Sequence, residues 1–305
     1  MALRYHLDSP MPETLQPEEP LGPKASVILI GYNQAAELRR ALEALERAAG
    51  RERFEVLVVD CASRDESGKL DEQYPGVTVL RLPHRFGATK AMNIAARTAK
   101  TDFLFYLSPQ VEVESGIVIV LTERLESQSD ASAVAPLLVD SDRQPVSLVQ
   151  PLPGPDSLAR ICAGERPEGS SPDLAQESIA APYLGRDALM VRKQFVAGMN
   201  FFDERFGEFG ADADLAIKIH KAGKKIRLYP GIRAVWHPSS RPAERDPLSD
   251  ADRILGSAQL IGKHYGSFSG MIFRLGATLK AALRFDFGRL KLLIGGQKID
   301  GSQAV

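Results

Sequence analysis

Residues 26–33 read Ser-Val-Ile-Leu-Ile-Gly-Tyr-Asn. A short aliphatic, β-branched run that stops at a glycine is typical of a strand buried on both faces. Residues 36–49 follow, and they carry apolar side chains at helical spacing: Leu38, Ala41, Leu42 and Leu45. The stretch from 26 to 49 therefore predicts a buried strand that turns at Gly31 into a covering helix.

The same alternation of strand and helix continues along the chain. Further strands are predicted at 54–59, 77–82, 103–107, 188–191 and 225–228, and further helices at 89–98 and 212–222. This order indicates an α/β fold with a mostly parallel, twisted sheet flanked by helices. Ligands of such sheets bind beyond the carboxyl ends of the strands. The strand ends to inspect for function are residues 32–33, 60–65 and 108–110.

Composition and charge exclude several classes of protein. The 305 residues are 44% hydrophobic and carry a formal net charge of −1, so nucleic acid is not expected as a partner. The two cysteines, Cys61 and Cys162, form no disulfide or metal-binding framework, which favours a reducing, cytoplasmic compartment. No apolar run of about 18 residues occurs, so no transmembrane helix is predicted.

Local composition also divides the chain into segments. Residues 1–24 are rich in proline and glutamate and are predicted to be a flexible leader. Residues 25–240 are predicted to form the α/β domain, with a long loop at 140–182. Residues 241–305 are predicted to contain a polar, proline-containing linker, over 241–252, followed by basic amphipathic helices.

The basic helices of residues 253–298 have two interpretations. Between Arg253 and Lys298 there are eight Lys or Arg residues and one acidic residue, Asp286. Either the helices pack on the domain with a solvated basic face, or they lie on an anionic membrane surface. The second interpretation places the protein peripherally on the inner face of the cell membrane.

Four patches of sequence, taken in order, share features with a known family. The patches are residues 27–33 (VILIGYN), 58–65 (VVDCASRD), 85–113 with its strand end SPQVEV, and 202–215 (FDERF…GADADL). They resemble glycosyltransferase family 2, most closely its rhamnosyltransferase-like members, over residues 24–240. The resemblance implies the GT-A fold of nucleotide-diphospho-sugar transferases. It also implies transfer of a sugar, with inversion, from a nucleoside-diphosphate donor to a glycan or lipid-linked acceptor.

The resemblance assigns donor-binding roles to residues of the first three patches. Asp60 matches the aspartate that accepts a hydrogen bond from the nucleobase, and Tyr32 and Asn33 belong to the matching start of the domain. Arg85 and Lys90 are the cations of the third patch. From the residues alone, the second patch also fits a loop that is closed by an Asx turn. That structural role suits Ser63 and Asp65 better than it suits Asp60.

The metal-binding position departs from the family pattern. The family keeps an aspartate there that holds Mg²⁺ or Mn²⁺ against the diphosphate, whereas this chain has Gln110, with Ser108 two residues before it. A neutral amide does not offset the phosphate charge, so weak affinity is expected for either ion and no cofactor is certain. Both residues remain donor-binding candidates. Glu112 lies on the same side of the strand, so a substitute ligand is one interpretation, and an ordinary solvated carboxylate is the favoured one.

A histidine outside that strand is the other candidate metal ligand. His237 matches a family histidine able to bind the metal or the diphosphate. A hydrogen-bonded core histidine is the alternative, and the loss of the family aspartate at Gln110 adds weight to it.

The fourth patch supplies the catalytic candidate, Asp212. By resemblance, its carboxylate is the general base that takes the proton from the acceptor hydroxyl. The preceding family glutamate is replaced by Ala211, and Asp214 is expected to anchor the helix. Cationic side chains are expected to offset the diphosphate charge, with Arg192 a third candidate beside the two cations of the third patch.

Two other functions stay open. The losses at Gln110 and Ala211 are compatible with a catalytically inactive homologue that binds a nucleotide or a glycan. The retention of Asp60, Asp212 and His237 favours the transferase instead. A nucleotidyltransferase is the weaker third alternative, because no glycine-rich, lysine-containing phosphate loop follows the first strand.

Overall fold

The aliphatic runs of the sequence form one nine-stranded sheet within residues 22–239 and 246–301, the part of the chain that the computed structural model describes. The strands are β1 Ala25–Gly31, β2 Phe54–Asp60, β3 Val77–Arg81, β4 Phe103–Leu107, β5 Val111–Val113, β6 Ala131–Val139, β7 Ile179–Ala181, β8 Ala188–Arg192 and β9 Lys225–Trp236. The helices are α1 Ala35–Glu46, α2 Ala88–Thr98, α3 Ile117–Ser127, α4 Pro155–Cys162, α5 Lys193–Gly198, α6 Ala211–Lys221, α7 Pro247–His264, α8 Ser267–Leu283 and α9 Phe287–Gly295.

The order of the strands brings the predicted functional loops to one edge of the sheet. The order is β3-β2-β1-β4-β8-β6-β9-β5, with β7 paired to β9. Strands β3, β2, β1 and β4 are parallel, and Gly31 at the end of β1 lies beside Asp60 at the end of β2. Strand β8 is antiparallel to β4, so its first residue, Ala188, lies beside Leu107 at the end of β4. The residues just before β8 therefore reach the same edge as the ends of β1, β2 and β4.

Both faces of the sheet are covered, as expected for a doubly covered α/β sheet. One apolar cluster packs α1 and α3 against one face, and a second packs α2 and α6 against the other. A third, smaller cluster joins α7, α8 and α9. Most strand residues are buried on both sides, which explains why they read as continuous aliphatic runs.

The segment boundaries differ from the predicted ones in two places. The second half of the linker predicted at 241–252 is helical, because α7 begins at Pro247 with Asp246 as its N-cap. The strand predicted at 225–228 continues to Trp236 through an irregularity in its pairing with β6. The predicted leader lies almost wholly outside the described residues, and so do residues 241–245 of the predicted linker. Among the described helices, none has the length and apolar character needed to traverse a bilayer.

A buried carboxylate on α6 ties α7 to the domain. Asp214 is fully buried and accepts hydrogen bonds from His264 Nε2 (2.7 Å) and Lys263 Nζ (3.0 Å), and Lys218 Nζ is also 3.0 Å away. Burial opposes ionisation of Asp214, but these three partners hold its pKa below the usual value. Asp214 is thus the anchor expected from the sequence, and α7 is part of the domain.

Helices α7 and α8 approach each other closely through two glycines. A Cβ atom on Gly270 would lie 2.5 Å from the carbonyl oxygen of Ala258 and 2.7 Å from the Cα of Gly262. A Cβ atom on Gly276, on the same helix, would meet no atom within 4 Å. The helices therefore meet at the glycine pair, whereas Gly276 lies on another face of α8 with open space beside it.

The two glycines of α8 predict opposite effects for the same substitution. Gly270→Ala should lower the free energy of unfolding by about 1–3 kcal/mol, because the methyl group collides with the backbone of α7. Gly276→Ala should raise it by about 0.5–1 kcal/mol, because alanine loses less backbone entropy in a helix. Urea unfolding followed by circular dichroism measures both, and equal effects would contradict the close packing of α7 and α8.

Candidate functional site

Backbone and side-chain hydrogen bonds join the loops that follow β1 and β2. Asn33 N donates to Ser63 Oγ (2.7 Å), and Asn33 Oδ1 accepts from Arg64 N (2.6 Å). Asp65 Oδ2 accepts from Ala35 N (3.0 Å), at the start of α1. Asn33 has φ 53°, the left-handed region that asparagine tolerates better than most residues. Asn33, which was expected to bind the donor, therefore joins the loop after β1 to the loop after β2. We call the surface that these two loops form the cradle.

Asp60 lies at the end of β2, under these loops, and is buried with 5% of its surface exposed. Its Oδ1 accepts from Ser63 N (3.3 Å), and a Cβ on Gly68 would lie 3.1 Å from its Oδ2. Glycine at that position therefore leaves room for the second oxygen. Burial, with Glu208 and Asp60 nearby, raises the pKa of the adjacent Cys61 thiol to about 12, so this thiol stays neutral.

The cations predicted from the third patch lie apart from one another. The Arg85 guanidinium lies 4.4 Å from the centroid of the Tyr32 ring and pairs with Asp246 (3.1 Å) at the start of α7. Lys90 instead lies over the Phe86 ring, and it lines a separate cavity of about 410 Å³. The structure thus brings Arg85 and Tyr32 together and leaves Lys90 on a different surface of α2.

Arg192 is not a site residue, and the prediction that it offsets a diphosphate charge is wrong. Its guanidinium donates to the carbonyl oxygens of Ala131 (3.0 Å), Leu125 and Gln128 (2.9 Å). These carbonyls lie at the end of α3 and the start of β6, at the opposite edge of the sheet. The side chain caps α3 and has a structural role.

A cavity of about 240 Å³ opens beyond the ends of β1 and β4. Two of its lining residues, Ser108 and Gln110, were expected from the sequence. Its other polar lining residues were not expected: Gln34, Arg186, Asp187 and Glu208. The apolar wall comes from β1, β4 and α2: Ile28, Ile30, Tyr106, Leu107, Ala88 and Met92. The cavity combines a cation, two carboxylates and amide groups at the edge where α/β proteins bind ligands.

Arg186 is the cation in this cavity. Its guanidinium pairs with the Glu208 carboxylate and donates to the Glu208 carbonyl (3.1 Å). Burial disfavours the charged form, but Glu208, Asp212 and Asp187 together raise the pKa of the Arg186 guanidinium above its usual value. Burial and Asp212 also raise the pKa of Asp187, although Arg186 opposes them. The arrangement keeps a permanent positive charge beside Ser108 and Gln110.

Asp212, the predicted base, lies in the first turn of α6 and interacts electrostatically with Arg186 and Asp187. Its Oδ2 accepts a hydrogen bond from Tyr183 Oη at 2.5 Å. Burial, followed by the charge of Asp212, raises the pKa of Tyr183 well above its usual value. The phenol therefore remains protonated and donates, which fixes the orientation of the carboxylate.

The predicted metal ligands are neighbours, but their chemistry does not fit a divalent ion. His237 N donates to the backbone oxygen of Gln110 (2.9 Å), so the strand pairing of β5 and β9 continues to these two residues. The His237 ring lies 2.9 Å, Nε2 to Oε2, from Glu112, so the expectation of a solvated Glu112 is wrong. Within residues 22–239 and 246–301, no three His, Cys, Asp or Glu side chains are grouped to hold one metal.

The unexpected site residues lie close to predicted elements but match no motif. Arg186 and Asp187 directly precede β8, and only the antiparallel pairing of β8 with β4 brings them to Ser108. Glu208 lies inside the fourth patch, between the segments FDERF (202–206) and GADADL (210–215). No spacing pattern in the sequence marks it as a site residue. The available sequence signal was the polar pair Arg186-Asp187, which stands at the start of a buried apolar run.

Comparisons with known proteins find relatives among glycosyltransferases. Residues 26–157 match the sequence family described as glycosyl transferase family 2. A pre-mycofactocin glycosyltransferase of Mycobacterium tuberculosis is 27% identical over 293 residues, which is 93% of this chain and 57% of that protein. The chain thus spans little more than half of that relative. An N-acetylglucosaminyl-diphospho-decaprenol L-rhamnosyltransferase of the same species is 25% identical over 73% of this chain and 78% of its own length.

Solved structures show the same fold at low sequence identity. GalNAc-T7 with UDP, GalNAc and Mn²⁺ aligns with a TM-score of 0.63 at 18% identity, over 80% of this chain and 48% of its own. The mannosyltransferase PcManGT of Pyrobaculum calidifontis, in complex with GDP-Man and Mn²⁺, aligns with a TM-score of 0.55 at 16% identity, over 90% and 81%. The sheet and its flanking helices therefore form the GT-A fold predicted from the sequence.

Restoring a carboxylate at position 110 should create metal affinity. In Gln110→Asp a charged oxygen ligand lies next to His237 and Glu112, so Mn²⁺ should bind at least about tenfold more tightly than to the wild type. Gln110→Asn is the matched control, because it has the length of aspartate without the charge. Titration calorimetry with Mn²⁺ measures all three proteins, and tight binding to the wild type would contradict the interpretation of Gln110.

Proposed function

We propose, from the match of residues 26–157 to glycosyl transferase family 2, that the protein transfers a sugar, with inversion, from a nucleoside-diphosphate donor to a hydroxyl group of a glycan or lipid-linked acceptor. The observation that carries this proposal is the cavity in which Arg186 and Gln110 lie at the strand ends, with Asp212 in electrostatic contact. One relative is named for a lipid-diphosphate acceptor and one similar structure holds GDP-Man, which supports both substrate classes.

The nucleoside of the donor binds in the cradle formed by the loops after β1 and β2. Asp60 Oδ2 has room beside Gly68 and is the acceptor for a nucleobase N–H. The Tyr32 ring, under the Arg85 guanidinium, supplies a flat surface near the same loops. The network through Asn33 and Ser63 makes this cradle rigid before the donor arrives.

The diphosphate of the donor lies against Arg186, Ser108 and Gln110. Two N–H groups of Arg186 bond to Glu208, and a guanidinium has five, so its remaining donors are available to phosphate oxygens. The Gln110 amide and the Ser108 hydroxyl add neutral donors. A fixed cation in a buried site stabilises the charge that develops on the leaving diphosphate, so we assign this role to Arg186 in place of a metal.

Asp212 is the general base of the transfer. As the acceptor oxygen forms its bond to the anomeric carbon, the bond from that carbon to the diphosphate oxygen breaks, and the hydroxyl proton moves to the Asp212 carboxylate. The nucleoside diphosphate leaves with the electron pair of the broken bond. Tyr183 holds Oδ2 of Asp212, which leaves Oδ1 to receive the proton.

The C-terminal helices hold the protein against an anionic membrane surface. One face of α8 exposes six large apolar side chains at helical spacing: Phe268, Met271, Ile272, Leu275, Leu279 and Leu283. Each exposes more than half of its surface, and exposed apolar patches of this kind mark an interaction surface. We call this face the apolar stripe. Of the eight basic residues between Arg253 and Lys298, Lys263 and Arg289 bond to acids of the protein, whereas Lys280, Arg284 and Lys291 supply positive charge that complements anionic lipid. That charge supports a peripheral position on the inner face of the membrane.

Removal of Arg186 should weaken donor binding without introducing a metal requirement. Arg186→Ala should raise the dissociation constant of the nucleoside diphosphate roughly 10- to 100-fold, because charge-assisted hydrogen bonds are lost. Arg97→Ala is the control, since that arginine lies on α2 with half of its side chain exposed and pairs with Glu204. Calorimetry with UDP and GDP, with Mn²⁺ or with EDTA, tests both variants. A wild-type affinity that depends on Mn²⁺ would contradict the role of Arg186.

Removal of the base should separate turnover from binding. Asp212→Asn should lower kcat by roughly 10²–10⁴-fold and leave the donor dissociation constant within about twofold, because the amide cannot take a proton. Release of nucleoside diphosphate in a coupled assay measures turnover. Unchanged turnover in Asp212→Asn would reject this base. A wild-type protein that binds the donor but transfers to no acceptor would instead favour the inactive homologue.

A further inference from the structure

A second cavity, of about 500 Å³, lies among α4, α7, α8 and α9, and neither the donor nor the base needs it. Four cations line it, against two acids: Arg253, Lys280, Arg284 and Arg289, with Asp250 and Asp286. Apolar side chains from three of the helices form the rest of the wall: Ile161, Ile254, Ile272 and Phe273. A lining of cations and aliphatic groups suits a ligand that has an anionic group joined to an apolar part.

Two of the four cations already have partners. Arg289 bonds to Asp250 (2.8 Å) and lies 3.4 Å from Asp286, so both acids of the cavity are used. The Arg253 guanidinium lies 4.7 Å from the centroid of the Phe209 ring. The side chains of Lys280 and Arg284, which line this cavity, make no hydrogen bond or ion pair with any residue that the structure describes. Two positive charges of α8 therefore face the cavity without compensation.

The cavity flanks the apolar stripe on the same helix. At 3.6 residues per turn, Lys280 and Arg284 lie roughly 110° to 150° around α8 from the centre of the stripe. Ile272 belongs to both surfaces, since it lines the cavity and is 52% exposed. A helix that lies in a membrane surface with its apolar face down holds its flanks at the depth of the lipid headgroups. Lipid phosphates lie at that depth.

The turn between α8 and α9 strengthens the case for contact with lipid. Phe285 is 76% exposed and has φ 54°, a left-handed conformation that is strained for a bulky residue. Phe287 is also exposed, and the two ring centroids are 6.3 Å apart. The strained turn thus directs two aromatic rings away from the protein, where only an apolar surrounding would bury them.

We infer that this cavity binds the phosphate group of an anionic phospholipid in the membrane surface on which α8 lies. Lys280 Nζ and the Arg284 guanidinium donate to the phosphate oxygens, and Ile272 and Phe273 contact the adjoining apolar part of the lipid. The inference rests on the membrane position proposed for the apolar stripe. It adds a lipid site separate from the donor cavity.

Vesicle flotation of the full chain tests the site. The wild type should bind vesicles of phosphatidylcholine with phosphatidylglycerol more tightly than vesicles of phosphatidylcholine alone. Lys280→Gln and Arg284→Gln should each weaken binding to the mixed vesicles at least about tenfold, because a direct hydrogen bond to phosphate is lost. The matched control, Lys291→Gln, also removes one positive charge, but from α9 and outside the cavity. It should weaken vesicle binding at most about fivefold, because it reduces only the diffuse electrostatic attraction between the protein and the membrane.

Equal losses for Lys280→Gln and Lys291→Gln would overturn the site, and so would a wild type without preference for the anionic vesicles. Inorganic phosphate at constant ionic strength should not displace the protein, and displacement would point to free phosphate instead of lipid. Leu275→Glu with Leu279→Glu should abolish binding to both kinds of vesicle. Retained binding would refute the apolar stripe as the face that contacts the membrane. Calorimetry of donor binding tests the proposed transferase function separately.

Discussion

One buried carboxylate, Asp252 on α7, holds together the parts of the protein that form the candidate site. It accepts hydrogen bonds from the backbone N–H groups of Glu208 (2.8 Å), Phe209 (3.1 Å) and Ile299 (2.9 Å). Burial raises the pKa of Asp252 to about 6, although these three amides act in the opposite direction. Gly207 lies so close that a Cβ atom would be 1.9 Å from Oδ1. The loop that carries Glu208, and through it the position of Arg186, therefore depends on α7.

The candidate site holds more acidic than basic side chains within a small space. One guanidinium, Arg186, faces the carboxylates of Glu208, Asp187 and Asp212, so an anionic ligand enters a region that already holds acids. Burial raises the pKa of Asp187, although Arg186 acts in the opposite direction. Glu208 orients the guanidinium without using all of its N–H groups. Among the described lining residues, Arg186 is therefore the positive charge that this cavity offers to an anionic ligand.

The sequence predicted the parts of the fold that have regular patterns. Strands β1, β2 and β4 are long aliphatic runs between turn residues, and their predicted bounds agree with the structure within one or two residues. Strand β6 was not predicted, because Pro136 and several alanines weaken its pattern and a bulge accommodates the proline. The start of α7 carried a readable signal, an Asp N-cap followed by Pro247, within a segment whose overall polarity suggested a linker. In the site, the sequence predicted residues that lie within family-like motifs, such as Ser108 and Gln110. The positions of Arg186 and Glu208 depend on strand pairing and on Asp252, and no local sequence pattern encodes either of these.

The contact between Gly87 and Ile299 has a consequence for how the protein is made. A Cβ atom on Gly87 would lie 2.3 Å from the Ile299 carbonyl oxygen, and Phe86 forms a backbone bridge with Asp300. The start of α2 is therefore closed by residues more than two hundred positions later in the chain. Contacts of such large sequence separation form late and slow the folding of a domain. During synthesis on a ribosome, Gly207 and Glu208 cover part of the surface around Gly87, and its covering is complete only when residue 299 has emerged.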